Sequence, residues 1–146
     1  MQTFLPYPDY AECAKVIDDK RLWKQVLEAK QILATIRGDS KAWGNHPAVT
    51  MWRGYHDSLR GYLMTMVQEW LNRRIGDGIS LEDYWVGDKS ILCYTEDDIP
   101  HWIEDERLHS SHRSNLLRKD PVWYGQFGWV EPDDMPYYWP SCRGCE

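Results

Sequence analysis

Apolar positions recur at helical spacing along most of the first half of the chain. From Lys20 to Ile36 the residues Leu22, Val26, Ala29, Leu33 and Ile36 form one stripe, and Gly38 supplies a stop. This segment predicts the clearest helix in the sequence. Upstream, Asp9 follows Pro8 where an N-cap belongs, with Glu12 in the capping-box position of a short helix through Ile17. Asp18-Asp19 offers the cap of the next one. The stretch from Gly38 to His46 is polar and reads as a loop. Pro47 then suits a first helical turn. Trp52, Leu59, Leu63, Met66, Val67, Trp70 and Leu71 carry a helical region on to about Arg74. Gly54 and Gly61 are points of bending or splitting, and Gly76 and Gly78 mark its end.

Beyond this the pattern weakens. Residues 79–104 read as irregular, with one short helical turn from Ser80 to Tyr84 and an acidic surface loop at Glu96-Asp97-Asp98 before Pro100. A final helix is expected from about Glu104 to Lys119, closed by Asp120-Pro121. The Trp-, Tyr- and Pro-rich tail is expected to wrap the outside. With no repeat, low-complexity tract or linker, these elements predict an all-α fold. It would be a compact single-domain helical bundle over residues 1–146, with an irregular aromatic-rich C-terminal tail.

At 146 residues one core suffices without staples. Nine Trp and nine Tyr against two Phe favour rings with a polar edge, which pack cores but also stack on bases or line wet pockets. The net charge of −6 argues against the broad basic surface of a non-specific DNA binder. It leaves room for a local basic cleft, because the field at a site follows nearby charges. No apolar run approaches the roughly 18 residues that cross a bilayer, and no signal peptide is visible. A cytoplasmic setting without a membrane partner is therefore expected, with the four cysteines as reduced thiols.

Charge placement narrows the picture. On a helical wheel Arg21, Lys24, Glu28 and Thr35 share a polar side of the Lys20–Ile36 helix. By pattern alone Lys24 and Glu28 make a solvated i,i+4 pair worth about 0.3–0.5 kcal/mol. In the last helix Leu108, Leu116 and Leu117 are expected to face the core, leaving His109, His112, Arg113, Arg118 and Lys119 as donors suited to phosphates. An acidic protein with positive charge on two helices is able to direct both at one anionic ligand; the bland alternative is a solvated face.

Metal chemistry finds little support. Cys142-x-x-Cys145 and His109-x-x-His112 have zinc-ligand spacing, but the cysteines lie among the last five residues, where chains fray. Residues 140–145 also carry part of the zinc-deaminase signature. It requires His-x-Glu upstream, and the nearest candidate, His101-x-x-Glu104, has the wrong spacing. The acidic residues at 96–98 and 131–134 read as solvated loops rather than a metal nuclease. No metal or other cofactor is expected.

The order of several motifs resembles a known family. Asp19-Lys20-Arg21-Leu22, with Glu28 nine residues after Asp19, is similar to the early helix of the phage-type pyrimidine-dimer DNA glycosylases, also called endonuclease V. Leu59-Arg60 through Leu71-Asn72-Arg73-Arg74 is similar to their middle helix. Asp120-Pro121-Val122-Trp123-Tyr124-Gly125-Gln126-Phe127-Gly128 resembles their Pro-x-Trp-Tyr-x-x-aromatic-Gly segment. The chain is more like a set of uncharacterised bacterial proteins of that superfamily. It shares with them the opening Met1-Gln2-Thr3-Phe4-Leu5-Pro6-Tyr7-Pro8, the Asn45-His46-Pro47-Ala48 turn and the Ser111-His112-Arg113-Ser114 run.

The resemblance implies a DNA glycosylase with abasic-site lyase activity, acting on double-stranded DNA that contains a damaged or modified base. An N-terminal α-amine attacks C1′ and a helix glutamate, here Glu28, assists. An α-amine with a pKa near 7.7–8.0 is partly neutral and nucleophilic at working pH. Gln2 is a large residue that normally blocks removal of Met1, so the nucleophile implied is the amine of Met1 or the ε-amine of Lys24 or Lys20. Arg21, Lys24, Asn45, His46, His112, Arg113, Arg118 and Lys119 are expected to contact DNA, with Trp123 or Tyr124 near the cleft. Leu27 stands where the family has arginine and Arg21 where it has histidine, which bears on the choice of lesion. The rival readings are a non-catalytic nucleic-acid-binding module on the same scaffold and a transferase acting on modified bases.

Overall fold

The protein is described by a computed structural model covering residues 1–76 and 98–144. Among the described residues there are six helices and no strand: α1 (Tyr10–Val16), α2 (Asp19–Arg37), α3 (Pro47–Thr50), α4 (His56–Arg74), α5 (Glu106–Lys119) and α6 (Pro121–Tyr124). A 3-10 turn over Gly125–Phe127 follows α6. The fold is all-α, as the periodicity predicts. The expected turn at Ser80–Tyr84, Gly78 and the acidic pair Glu96-Asp97 lie outside the described residues.

Local chemistry sets the helix ends. The Asp9 carboxylate accepts the Glu12 N–H at 3.0 Å and opens α1. Asp18 caps α2 in the same way, accepting from Arg21 N. Gly38, with φ 87°, closes α2 in the left-handed conformation that suits glycine. The region after Pro47 is split at Gly54, where φ is 83° and a side chain would also meet Arg143 Cδ at 2.9 Å. Gly61 is buried inside α4 and leaves it unbroken. Pro121 does more than stop α5: with Asp120 as cap it begins α6.

Helices α2 and α4 run antiparallel. Asp19 at the start of α2 meets Arg73 at 3.0 Å and Arg74 at 3.2 Å at the end of α4. Between them Leu22, Val26, Ala29 and Ile32 are buried with Leu59, Leu63 and Met66. Each of these except Ala29 contributes about 1.5–3 kcal/mol of transfer free energy where burial is complete. Trp52 packs edge-on to Trp102 at 4.9 Å, and the Trp102 indole N–H donates to the Met51 carbonyl at 2.8 Å.

Residues 2–6 are buried without regular secondary structure, so their backbone polar groups need partners. Side chains from several helices supply them. Phe4 N donates to Gln25 Oε1 of α2 and Leu5 N to His112 Nδ1 of α5, both at 2.8 Å. The Tyr62 hydroxyl donates to the Phe4 carbonyl at 2.8 Å. The Trp52 indole N–H donates to Thr3 Oγ1 at 2.9 Å.

The irregular aromatic-rich tail lies on the bundle. Trp129, Tyr137, Tyr138 and Trp139 are half-buried against the core. Ser114 Oγ donates to the Pro132 carbonyl and accepts the Met135 N–H at 3.0 Å. Ser111 Oγ accepts the Tyr138 N–H at 3.1 Å. Among the described residues no helix is long and apolar enough to cross a membrane.

Candidate functional site

The anchoring of Phe4 on Gln25 positions the chain's first residue. Met1 is three residues earlier, within about 10 Å of that anchor even if extended. Glu28 is three residues further along α2, about 4.5 Å of helix rise. His46, the N-cap of α3, responds to both groups. Burial lowers its pKa most, the amino-terminal charge lowers it further, and the Glu28 carboxylate opposes them. Amine, carboxylate and imidazole therefore share one electrostatic neighbourhood. The His46 Nδ1 accepts the Ala48 N–H at 3.0 Å, so in the neutral ring Nε2 bears the proton.

Glu28 is half-buried. Among the described residues it makes no ion pair or hydrogen bond, so the Lys24–Glu28 pair suggested by the i,i+4 spacing is not formed. No cation among the described residues contacts the carboxylate.

A cationic group joins residues of α2 and α5. Burial lowers the Lys119 pKa most, and Arg21, Arg118 and Lys24 lower it further, which places these three cations within electrostatic range of Lys119. Arg21 is paired to Asp18 at 3.2 Å. Arg118 donates to Asn115 Oδ1. Lys24 and Lys119 have no ion pair among the described residues. By contrast Arg73, Arg74 and Arg107 are held by carboxylates. Tyr137 connects the two groups. Burial raises its hydroxyl pKa while Arg118 and Arg21 oppose the rise, and its ring meets Trp139, which packs edge-on to His46 at 5.7 Å.

Other expected site residues are placed differently. His112 is fully buried and its pKa is pushed down to about 3, by burial first and by His109 second. It is neutral and supports Leu5, so it does not reach a phosphate. Arg113 donates to Glu131 at 3.0 Å, to the Pro6 carbonyl at 2.7 Å and to Glu106, so that each of its three guanidinium nitrogens has a partner. Tyr124 is buried, with its hydroxyl on the Asp18 carboxylate. Trp123 is partly exposed and its indole N–H donates to the Val16 carbonyl at 2.7 Å. Both fasten the α1–α2 junction. Asn45 is exposed on the loop next to His46.

Among the described residues the zinc arrangement is not assembled. His109 places both ring nitrogens 2.6 Å from the carbonyls of Leu5 and Ile103. Cys142 is disulfide-bonded, which corrects the expectation of four reduced thiols; Cys93 and Cys145 lie outside the described residues. Among the described residues no three His, Cys, Asp or Glu side chains group as a metal site. A cleft of about 500 Å³ beside α1 and α4 is lined by Asp9, Asp98 and Glu104, a charge that repels a polyanion.

Sequence reasoning missed three participants. Gln25 looks like a polar intrusion on an apolar stripe, and that irregularity is its signal. Gln2 is buried with both amide heteroatoms unpartnered among the described residues. Trp43 is exposed in the loop beside His46.

The family model described as pyrimidine dimer DNA glycosylase matches residues 1–83. No curated protein and no solved structure matches the chain. The matched span holds the buried first residues, Glu28 and His46, which are the parts that share one neighbourhood in the fold. The chain belongs to the pyrimidine dimer DNA glycosylase family, enzymes of DNA repair whose substrate is DNA.

Proposed function

We propose that the protein removes a damaged or modified pyrimidine and then cleaves the strand through an amine Schiff base. The observation that carries this reading is the anchoring of the first residues on Gln25, about one helical turn before Glu28, whose carboxylate has no ion pair or hydrogen bond among the described residues. In the first step the neutral amine of Met1 attacks C1′. The glycosidic bond breaks, and the base leaves with the bonding electrons and takes up a proton. The C1′–O4′ bond then opens to give the imine, with O4′ protonated. Loss of a C2′ proton and departure of the 3′ phosphate cleave the strand, and water releases the amine.

Glu28 is suited to stabilise the cationic sugar and to relay these protons. The neutral His46 offers an N–H donor. Arg21, Lys24, Arg118 and Lys119 hold the flanking phosphates.

Borohydride tests the reading. With duplex DNA carrying a single thymine dimer or an abasic site, the intact protein is expected to form a covalent adduct that maps to the first peptide. An adduct on Lys20 or Lys24 would move the nucleophile to α2. DNA binding with no adduct on either substrate would leave a binding module and overturn the proposal. An intact mass establishes beforehand that Met1 is present.

The cationic group makes a separate prediction. Four phosphate contacts give a slope of log K against log salt of about −3.6, or roughly a hundredfold weaker binding between about 50 and 200 mM salt. Lys119→Gln is expected to flatten that slope by about 0.9 in a fluorescence-anisotropy titration. An unchanged slope would remove Lys119 from the interface.

A further inference from the structure

Trp43 combines three features that its neighbours lack. Its backbone φ is 62°, and it is the non-glycine residue with a positive φ among the described residues. A bulky side chain rarely adopts that conformation. The indole is 54% exposed, unusual for the largest apolar ring. It packs edge-on to His46 at 6.0 Å, the residue that senses both the amine and Glu28.

The loop around it is fixed by hydrogen bonds to three successive carbonyls. Thr35 Oγ1 donates to Ala42 O at 2.8 Å, His46 N to Trp43 O at 2.9 Å and Arg53 Nη2 to Gly44 O at 2.9 Å. The pinned backbone holds the ring outward. Behind it the rings of His46 and Trp139 alternate edge to face, at 83° and 88°. They give the indole a rigid base and leave more than half of the residue exposed.

We infer that Trp43 is a base-stacking residue: its indole receives a nucleobase unstacked beside the attacked nucleotide. This rests on the Schiff-base reading of the same site. Reaching C1′ inside a duplex requires the target, or its partner, to leave the stack, at a cost of a few kcal/mol. Each nucleobase presents a flat face to an exposed aromatic ring, and such stacking tolerates any base identity. The ring packs on His46, the residue that responds to the amine and to Glu28, while Arg21 and Arg118 of the cationic group act on Tyr137.

The test uses duplexes with one abasic site and 5-iodouracil placed either opposite it or immediately 3′ of it. Irradiation of the complex is expected to cross-link one of the two to Trp43. In parallel, Trp43→Gly is expected to lower strand cleavage at saturating protein by roughly tenfold or more, with a melting temperature no lower than that of the wild type, because glycine adopts the positive φ freely. Trp43→Phe, which restores a stacking face, is expected to return cleavage to within about threefold of wild type. A cross-link that maps only to other residues, a glycine variant that cleaves at the wild-type rate, or a folded phenylalanine variant as slow as the glycine one would each overturn the inference. Borohydride trapping of the wild type is scored separately: its failure overturns the Schiff-base reading, whereas trapping with an indifferent Trp43 overturns only the stacking role.

Discussion

Glu28→Gln is expected to slow strand cleavage by about 10²- to 10⁴-fold, the range by which a positioned acid–base group accelerates proton transfer. The substitution keeps the shape and removes the charge. Glu28 makes no ion pair or hydrogen bond among the described residues, so the amide breaks no visible contact and the fold should be nearly unaffected. The kinetic loss would then report chemistry rather than misfolding. A second readout addresses geometry independently of activity. The carboxylate raises the His46 pKa against burial and the amino-terminal charge, so its removal is expected to lower the His46 pKa further. An NMR titration of the imidazole in both proteins would measure this. Cleavage by the glutamine variant within tenfold of wild type would show that another group moves the protons. An unmoved His46 titration would separate Glu28 from the amine's neighbourhood altogether.

Helix boundaries were legible because they depend on local chemistry. Asp9, Asp18, Gly38 and Pro47 each act within four residues, and each stands where the sequence predicts. The α2 stripe was legible for the same reason. The fate of residues 2–6 was not. Their partners Gln25 and His112 lie 21 and 107 positions away, a separation no periodicity encodes.

Helix α5 was misread for a related reason. Its histidines, serines and asparagine look like a wet face, yet His109, Ser111, His112, Ser114 and Asn115 are buried. They serve the backbone of the buried N-terminal segment on one side and of the tail on the other. A helix packed against irregular chain needs polar side chains inside, because irregular chain cannot satisfy its own N–H and C=O groups. The same logic removes Arg113 from the expected phosphate contacts, since the Pro6 carbonyl and two carboxylates occupy it. Arg21, Lys24, Arg118 and Lys119 remain together because no carboxylate other than Asp18 meets them among the described residues.

The second large effect concerns acid. His112 is expected to make the fold progressively unstable as pH falls from about 6.5, at about 1.4 kcal/mol per pH unit. Burial is the main reason its pKa lies at about 3 in the folded chain, against 6.5 for an exposed imidazole. Between those values the unfolded chain binds a proton that the folded chain refuses. The stabilisation is thus complete above pH 6.5 and is lost as pH falls toward 3. His46, also depressed, adds to the loss with the same sign, to a smaller extent because it is less buried. Asp19 and Asp105 are depressed by arginine partners and contribute only at lower pH, near the ordinary carboxylate range. Urea melts at pH 7.5 and 4.5 are therefore expected to differ by roughly 2–3 kcal/mol. His112→Asn, which retains an acceptor near the Nδ1 position for the Leu5 N–H, is expected to remove most of that difference. A slope as steep in the asparagine variant would assign the acid sensitivity elsewhere. The consequence reaches the candidate site, because a protonated His112 would present a donor to the Leu5 N–H donor. The first residues would then lose one of the contacts that hold their amine near Glu28.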